Sequence, residues 1–262
     1  MARFYTLYSS SSGNCSFVGD EEGGVLIDAG VNCKHITEAL AANSIDPERV
    51  RAIFVTHTHS DHINGLRVFA KRYGCTVYAQ EANLRELRDS GKLDAAAVTV
   101  PLENGAVDLG DMCISHFTTS HDCAASCGFV IDFGDGKRAA SCTDLGIITD
   151  EVRGALLGCD MVLLESNYDP EMLRCGPYPY PLKQRISSSV GHLSNSDCSE
   201  MLGELIESGT RRFVLGHISR QNNLPRLVRL SALKGLSGYE ENYDYRLDIA
   251  SPENYKAGAV IF

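Results

Sequence analysis

Thr56-His57-Thr58-His59-Ser60-Asp61-His62 follows the apolar run Ala52-Ile53-Phe54-Val55 and leads into Ile63-Asn64-Gly65-Leu66-Arg67-Val68-Phe69-Ala70. The first run reads as a buried strand, and the second as an amphipathic helix that ends at Gly74. Side chains of an extended or turning segment alternate. His57 and His59 can therefore face one cation while Asp61 and His62 turn towards a neighbouring position, and one turn can feed two metals. Imidazoles and carboxylates suit zinc or manganese, with iron or nickel also fitting, and no thiolate in the set narrows the choice. The plain alternative is a His-rich surface turn, but the strand and helix flank this stretch as a metal motif requires.

Outward from this turn, the composition sets bounds. At 262 residues and 44% apolar content, the chain can bury a full core. Strands interrupted by helices, with no long linker, repeat or low-complexity tract, predict a single α/β domain over residues 1–262. No run approaches the roughly 18 apolar residues of a membrane span, and Met1-Ala2-Arg3-Phe4-Tyr5 lacks the layout of a signal peptide. A cytoplasmic protein without a membrane partner is expected; protein partners are not indicated. Ten cysteines without a C-x-x-C pair, several inside apolar runs, point to buried reduced thiols rather than a disulfide framework.

The net charge of −10 is unevenly placed: residues 1–171 hold 13 Lys and Arg against 25 Asp and Glu, and residues 172–262 hold 11 against 9. No acid lies between Glu207 and Glu240, a stretch that carries Arg211, Arg212, Arg220, Arg226, Arg229 and Lys234. An acidic average thus hides a local anion-attracting face. Arg211, Arg212, Arg220, Arg226 and Arg229, with Lys183 and Arg185 beside the Pro/Tyr segment Gly176-Pro177-Tyr178-Pro179-Tyr180-Pro181, are candidate phosphate contacts, Lys183, Arg185 and Arg220 foremost, although for any one of them a solvated basic face is the favoured explanation. Tyr178 and Tyr180 are candidates for stacking on unpaired bases.

Strands are expected at 4–8, 15–18, 25–27, 76–78, 97–100, 112–118, 128–133, 137–142, 161–164 and 213–215, and helices at 34–42, 81–90, 197–207 and 225–235. Ser9–Asn14 reads equally as a hairpin turn or a phosphate-cradling loop. Four further polar residues share one placement: Asp28 follows Val25–Ile27, His121 the strand through Phe117, Asp144 the strand through Cys142, and His217 Phe213–Leu215. A rigid strand end is where a scaffold holds ligands accurately. His35 and His116 lie outside this pattern and carry no chemistry.

His57-Thr58-His59-Ser60-Asp61-His62 resembles the HxHxDH signature of the metallo-β-lactamase superfamily, whose fold is a four-layer αββα sandwich. His62 points away from the antibiotic-degrading members, which usually carry Arg there. Further segments are similar to the YycJ/WalJ family of bacterial metallo-hydrolases, described as DNA exonucleases acting from the 5′ end with a proposed link to mismatch repair. They are Ser11-Ser12-Gly13-Asn14-Cys15, Ile27-Asp28-Ala29-Gly30, His121-Asp122 with Gly128-Phe129 after it, Thr143-Asp144-Leu145-Gly146, Glu165-Ser166-Asn167-Tyr168-Asp169, the Pro/Tyr segment, Gly191-His192-Leu193-Ser194-Asn195 and Gly216-His217-Ile218-Ser219 with Asn222-Asn223. Ser126-Cys127 departs from that pattern.

The resemblance implies two divalent ions, the first held by His57, His59 and His121 and the second by Asp61, His62 and His217, with Asp144 bridging. Asp28 would orient the His cluster, and Asp61, Asp144 and His192 would take part in catalysis, His192 by contacting or protonating the scissile phosphodiester. Asp144 and His217 are 73 residues apart, too close for the domain that β-CASP nucleases insert there. DNA is the expected substrate. A small-molecule phosphodiesterase or esterase, or a binding module that keeps the fold, are the other readings.

Overall fold

The computed structural model describes residues 1–102, 105–256 and 258–262. The chain divides into two compact units: Met1–Val107 with Cys123–Ala125 and Pro252–Phe262, and Asp108–Asp122 with Ser126–Ser251.

In the first unit, β1 (Arg3–Ser10), β2 (Gly13–Gly19) and β3 (Gly24–Ile27) pair antiparallel. β4 (Val50–Phe54), β5 (Thr76–Ala79) and β6 (Thr99–Pro101) then continue the sheet in parallel, and the C-terminal strand Val260–Ile261 covers the β1 edge. Parallel pairing requires crossovers. These carry α1 (Cys33–Ala42), α2 (Ser60–Ile63), α3 (Leu66–Tyr73) and α4 (Glu81–Asp89). The core packs Phe17, Leu26 and Ile53 of the sheet with Ile36, Leu66 and Phe69 of the helices, all fully buried. Asn32 caps α1 by accepting from His35 N, which accounts for that helix's start.

The second unit repeats the plan. β7 (Val107–Asp108) is the edge, β8 (Met112–Thr118), β9 (Cys127–Phe133) and β10 (Arg138–Cys142) run antiparallel, and β11 (Met161–Glu165), β12 (Arg212–Gly216) and β13 (Arg246–Ile249) follow in parallel. The crossovers hold α5 (Asp150–Leu156), α6 (Pro170–Cys175), α7 (Tyr180–Ile186), α8 (Asn195–Glu207) and α9 (Pro225–Gly235). α8 buries Cys198, Met201, Leu202, Leu205 and Ile206 on the one face its sequence periodicity indicates. Ser194 caps it by accepting from Asp197 N.

Several local expectations change. The helix expected from Ile63 to Gly74 is two, broken at Asn64-Gly65, because Gly65 N donates to Ala29 O at 2.8 Å instead of continuing a helical ladder. Ala29 N in turn donates to His62 O at 2.9 Å, so Asp28-Ala29-Gly30 forms a backbone seat for α2. The fit leaves no room: a Cβ on Gly30 would lie 1.7 Å from Asp61 O, and one on Gly65 2.1 Å from Val31 O. The strand expected at 97–100 starts later, since Ala97 N closes a turn on Asp94 O.

Ser9–Asn14 is a hairpin in which Asn14 folds back, accepting from Ser10 N at 3.1 Å and donating to Ser10 O at 2.9 Å. α5 and α6, unforeseen, start at the caps Thr149 and Asp169. The Pro/Tyr segment is a loop only as far as Pro179, where α7 begins. At Ser126, where the family pattern is broken, the hydroxyl lies 2.6 Å from that of Thr119 and closes the turn after β8. No described helix is long and apolar enough to cross a membrane, and the ten cysteines are thiols rather than disulfide halves.

Because the obstacle at residue 65 is backbone, Gly65→Ala should destabilise the fold by about 1–3 kcal/mol, the usual cost of overpacking. A urea midpoint equal to that of the parent would refute the seat.

Candidate metal centre

In the first unit, β3 and β4 are parallel neighbours, so the residues leaving their ends meet. Asp28 N donates to Phe54 O at 2.9 Å. The Asp28 carboxylate accepts from Thr56 N at 2.8 Å, from the Thr56 hydroxyl at 2.8 Å and from His62 Nδ1 at 2.7 Å. With its proton given to Asp28, the Thr56 hydroxyl is an acceptor for His57 Nδ1, 3.0 Å away. Both imidazoles therefore carry the proton on Nδ1 and present the Nε2 lone pair, the arrangement a carboxylate gives to metal-binding histidines. Consistently, Asn14 Nδ2 donates to His62 Nε2 at 2.9 Å and lies 3.3 Å from Asp61 Oδ2. The His57 ring centroid lies 4.7 Å from that of His59 and 4.1 Å from that of His62. The five expected residues of this unit, Asp28, His57, His59, Asp61 and His62, are thus gathered, and Thr56 and Asn14 join them.

In the second unit, Glu165 is the last residue of β11, and Asp144 and His217 lie just past the ends of its parallel neighbours β10 and β12. Asp144 Oδ1 lies 3.8 Å from His121 Nε2, 3.7 Å from His192 Nδ1 and 3.5 Å from His217 Nδ1. His121 is fixed by donating Nδ1–H to Gly191 O at 3.0 Å. Ligand atoms of Asp144, Glu165, His192 and His217 all fall within 4.8 Å of one another. This wholly N/O donor set, buried except for the half-buried His192, fits a divalent cation.

Glu165 was not among the residues expected from the sequence. It is fully buried, and it ties the unit together. Its Oε1 accepts from His217 Nδ1 at 2.6 Å and from His192 Nδ1 at 2.9 Å, and its Oε2 accepts from Leu145 N at 3.2 Å and Leu193 N at 3.0 Å. Burial alone would raise the Glu165 carboxyl, but the His192 and His217 imidazoles overcome this and hold its pKa at about 2. Being ionised, Glu165 can only accept, so Nδ1 carries the proton in both rings and each Nε2 is turned outward from it. Burial would lower the His192 imidazole. Glu165 reverses that and raises it above the ordinary histidine value.

Backbone conformation marks the same residues. Asp28, Asp144 and His217 have φ of 61°, 59° and 53°, left-handed values that non-glycine residues rarely adopt. Such conformations persist where surrounding structure imposes them, and they cluster at functional sites.

The expected phosphate contacts differ in their surroundings. Arg220 is exposed on the turn just past His217. Lys183 Nζ donates to Arg174 O at 2.8 Å, and Arg185 forms an ion pair with Asp122, the neighbour of His121. Arg211 and Arg212 instead flank the start of β12, one strand length from His217 at its end, and Arg229 pairs with Glu241. These three therefore belong to the far end of their unit or to structural pairs.

Residues 24–218 match the Beta-lactamase superfamily domain. The chain belongs to the metallo-β-lactamase superfamily. It lies in the WalJ/YycJ branch. It is 35% identical over 260 residues to the exodeoxyribonuclease WalJ of Streptococcus pneumoniae serotype 2 (strain D39 / NCTC 7466), covering 95% of this chain and 96% of that one. It is 36% identical over 230 residues to the exodeoxyribonuclease YycJ of Bacillus anthracis, covering 87% and 86%. Among solved structures, the metallo-β-lactamase fold protein YhfI from Bacillus subtilis superposes with a TM-score of 0.74 at 15% identity, over 96% of this chain and 97% of that one. The fold class is therefore the α/β metallo-β-lactamase one expected, and the chain is a hydrolase of that superfamily.

Glycine adopts a left-handed conformation without strain. Asp144→Gly should leave the stability of the metal-free protein within about 1 kcal/mol of the parent while lowering bound metal, measured by denaturation and by elemental analysis. Full metal retention would remove Asp144 from the ligand set.

Proposed function

We propose that the protein is a metal-dependent DNA exonuclease, acting from the 5′ end, with a place in DNA mismatch repair as its family suggests. The observation that carries the reading is full-length similarity to two exodeoxyribonucleases. The Glu165–His192 pair supports it from the chemistry: a DNA strand leaves as a sugar alkoxide, which needs a proton. Within a single domain spanning residues 1–262, two divalent ions, zinc or manganese, are assigned to His57, His59 and His121 and to Asp61, His62 and His217, with Asp144 shared. Bound there, such ions would lower the pKa of a shared water and offset charge on the phosphoryl oxygens.

The protein's own groups supply the rest. Asp28 through Thr56 and His62, and Glu165 through His217, fix which ring nitrogen is offered. Asp61 and Asp144 take part as carboxylates that balance charge, each in its own unit. His192, whose hold on a proton Glu165 strengthens, delivers that proton through Nε2 to the leaving oxygen. Lys183, Arg185 and Arg220 attract the backbone phosphates. Reduced, mostly buried thiols support a cytoplasmic location.

A second reading, a phosphodiesterase for a small diester such as a cyclic nucleotide, is favoured by the sequence pI of about 5.3. Metal-loaded protein offered 5′- and 3′-labelled single- and double-stranded DNA and RNA, and cyclic nucleotides, separates the two. Stepwise release of nucleotides from 5′ ends is expected, and turnover confined to small diesters would replace the exonuclease reading.

His192→Ala should slow DNA cleavage by about 10²–10⁴-fold, the usual worth of a general acid, yet slow bis(p-nitrophenyl) phosphate hydrolysis by far less, since nitrophenolate leaves unaided. Equal losses would deny His192 the role.

The pH profile gives an independent check. The negative charge of Glu165 raises the His192 pKa, and activity needing protonated His192 falls as pH rises through that value. Glu165→Gln should therefore move the alkaline limb of DNA cleavage to lower pH; a limb that stays in place would show that His192 is not the group titrating.

A further inference from the structure

The second unit holds a pocket of about 550 Å³ walled by Tyr168, Pro170, Leu173 and Tyr180, with Arg174 and Lys183 at its edge. None of these residues contributes to the ligand set. The volume is that of a small-ligand site, and the lining combines flat apolar surface with cationic groups. That combination matches a nucleotide, whose base is flat and weakly polar and whose phosphate is anionic.

The two aromatic walls differ in a way that suits stacking. Tyr168 is nearly buried and is clamped by backbone bonds on both sides: Asn195 N donates to Tyr168 O, and Asp169 N to Asn222 O, each at 2.9 Å. Its hydroxyl stays protonated, since burial and the nearby Asp197 and Glu165 carboxylates push its pKa up to about 12. Tyr180 is the opposite, a 70% exposed aromatic side chain at the first position of α7 between Pro179 and Pro181. Prolines on both sides fix its backbone, so ordering its ring on a ligand costs little further entropy. Gln184, also lining the pocket, donates Nε2–H to the Tyr180 hydroxyl at 3.0 Å. Lys183, which also lines the pocket, donates from Nζ to Arg174 O at 2.8 Å.

The pocket is also tied to the chemistry of its own unit. Tyr168 is three residues past Glu165, and its neighbour Asn167 donates to His217 O at 2.7 Å. The last residue of α7, Ile186, accepts from His192 N at 2.9 Å. Three residues span at most roughly 10 Å, about three stacked nucleotides.

We propose that the pocket between Tyr168 and Tyr180 takes the base of one unpaired nucleotide near the scissile phosphate, stacked on Tyr180, with Lys183 on the adjoining phosphate. The inference rests on the exonuclease reading above and adds to it a grip on the base, without sequence preference, that sets which phosphodiester is presented.

The test uses metal-loaded full-length protein and single-stranded oligonucleotides that carry a tetrahydrofuran abasic unit at each of the last three nucleotides of the digested end in turn. One of the three positions should slow single-turnover cleavage about tenfold or more relative to the base-bearing strand, the size of one base–aromatic stack. Tyr180→Ala, at an exposed site that folding does not need, should slow the base-bearing strand similarly and erase the difference. Equal rates on all strands, or a difference that persists in Tyr180→Ala, overturn the pocket while leaving the nuclease reading intact. If no DNA is cut, the exonuclease reading fails, and 2-aminopurine deoxyribonucleoside 5′-monophosphate decides the pocket by itself. Fluorescence quenching that Tyr180→Ala abolishes supports it, and absence of quenching ends it.

Discussion

A carboxylate with no exposure to solvent stays ionised only if donors surround it, and Glu165 has four: two imidazoles and two backbone N–H groups. The same contacts that satisfy its charge set the tautomers of His192 and His217 and pin the segments beside Asp144 and His192. Removing one partner would leave charge or dipoles uncompensated, so the four are interdependent. Asp28 performs the equivalent task in the first unit through Thr56 and His62. In each unit, one strand-end carboxylate thus fixes which ring nitrogen of its imidazole partners carries the proton: Asp28 for His62, and Glu165 for His192 and His217.

Topology explains why these carboxylates stand where they do. Asp28, the His57–His62 turn, Asp144, Glu165 and His217 each leave a strand whose next neighbour is parallel, at the point where a crossover begins. Parallel neighbours end on the same side, which brings their first crossover residues together. His121 alone follows an antiparallel strand, and its ring depends on Gly191 O to hold its orientation. The left-handed φ of Asp28, Asp144 and His217 is the local cost of turning sharply off a strand end while keeping the side chain aimed inward.

Much of this was legible in the sequence, because the signals were local. Four ligand-type residues within six positions, between an apolar strand and a helix, needed no tertiary information, and the strand-end rule found Asp28, His121, Asp144 and His217. Glu165 obeys the same rule after Met161–Leu164, yet a lone acid after a strand is as often a solvated cap, and only the fold reveals its burial. Thr56 and Asn14 carry no ligand signature of their own; their roles come from what lies against them. The break at Asn64-Gly65 was hidden because the apolar periodicity continues through it, while the competing hydrogen bond to Ala29 comes from a distant part of the chain. Arg211 and Arg212 look well placed by charge alone, and it is the length of β12 that separates them from His217.

The repeated strand plan has a consequence for the order in which the molecule assembles. β1–β3 and β8–β10 are hairpin-connected, and such short loops close quickly, whereas each parallel pairing must wait for a crossover of many residues to find its place. Most of the residues proposed as ligands sit at the start of a crossover, on the slow part of the route. Residues 57–62 are neighbours in sequence from the start, whereas Asp144, Glu165 and His217 are brought together only once the parallel pairings of β10, β11 and β12 have formed.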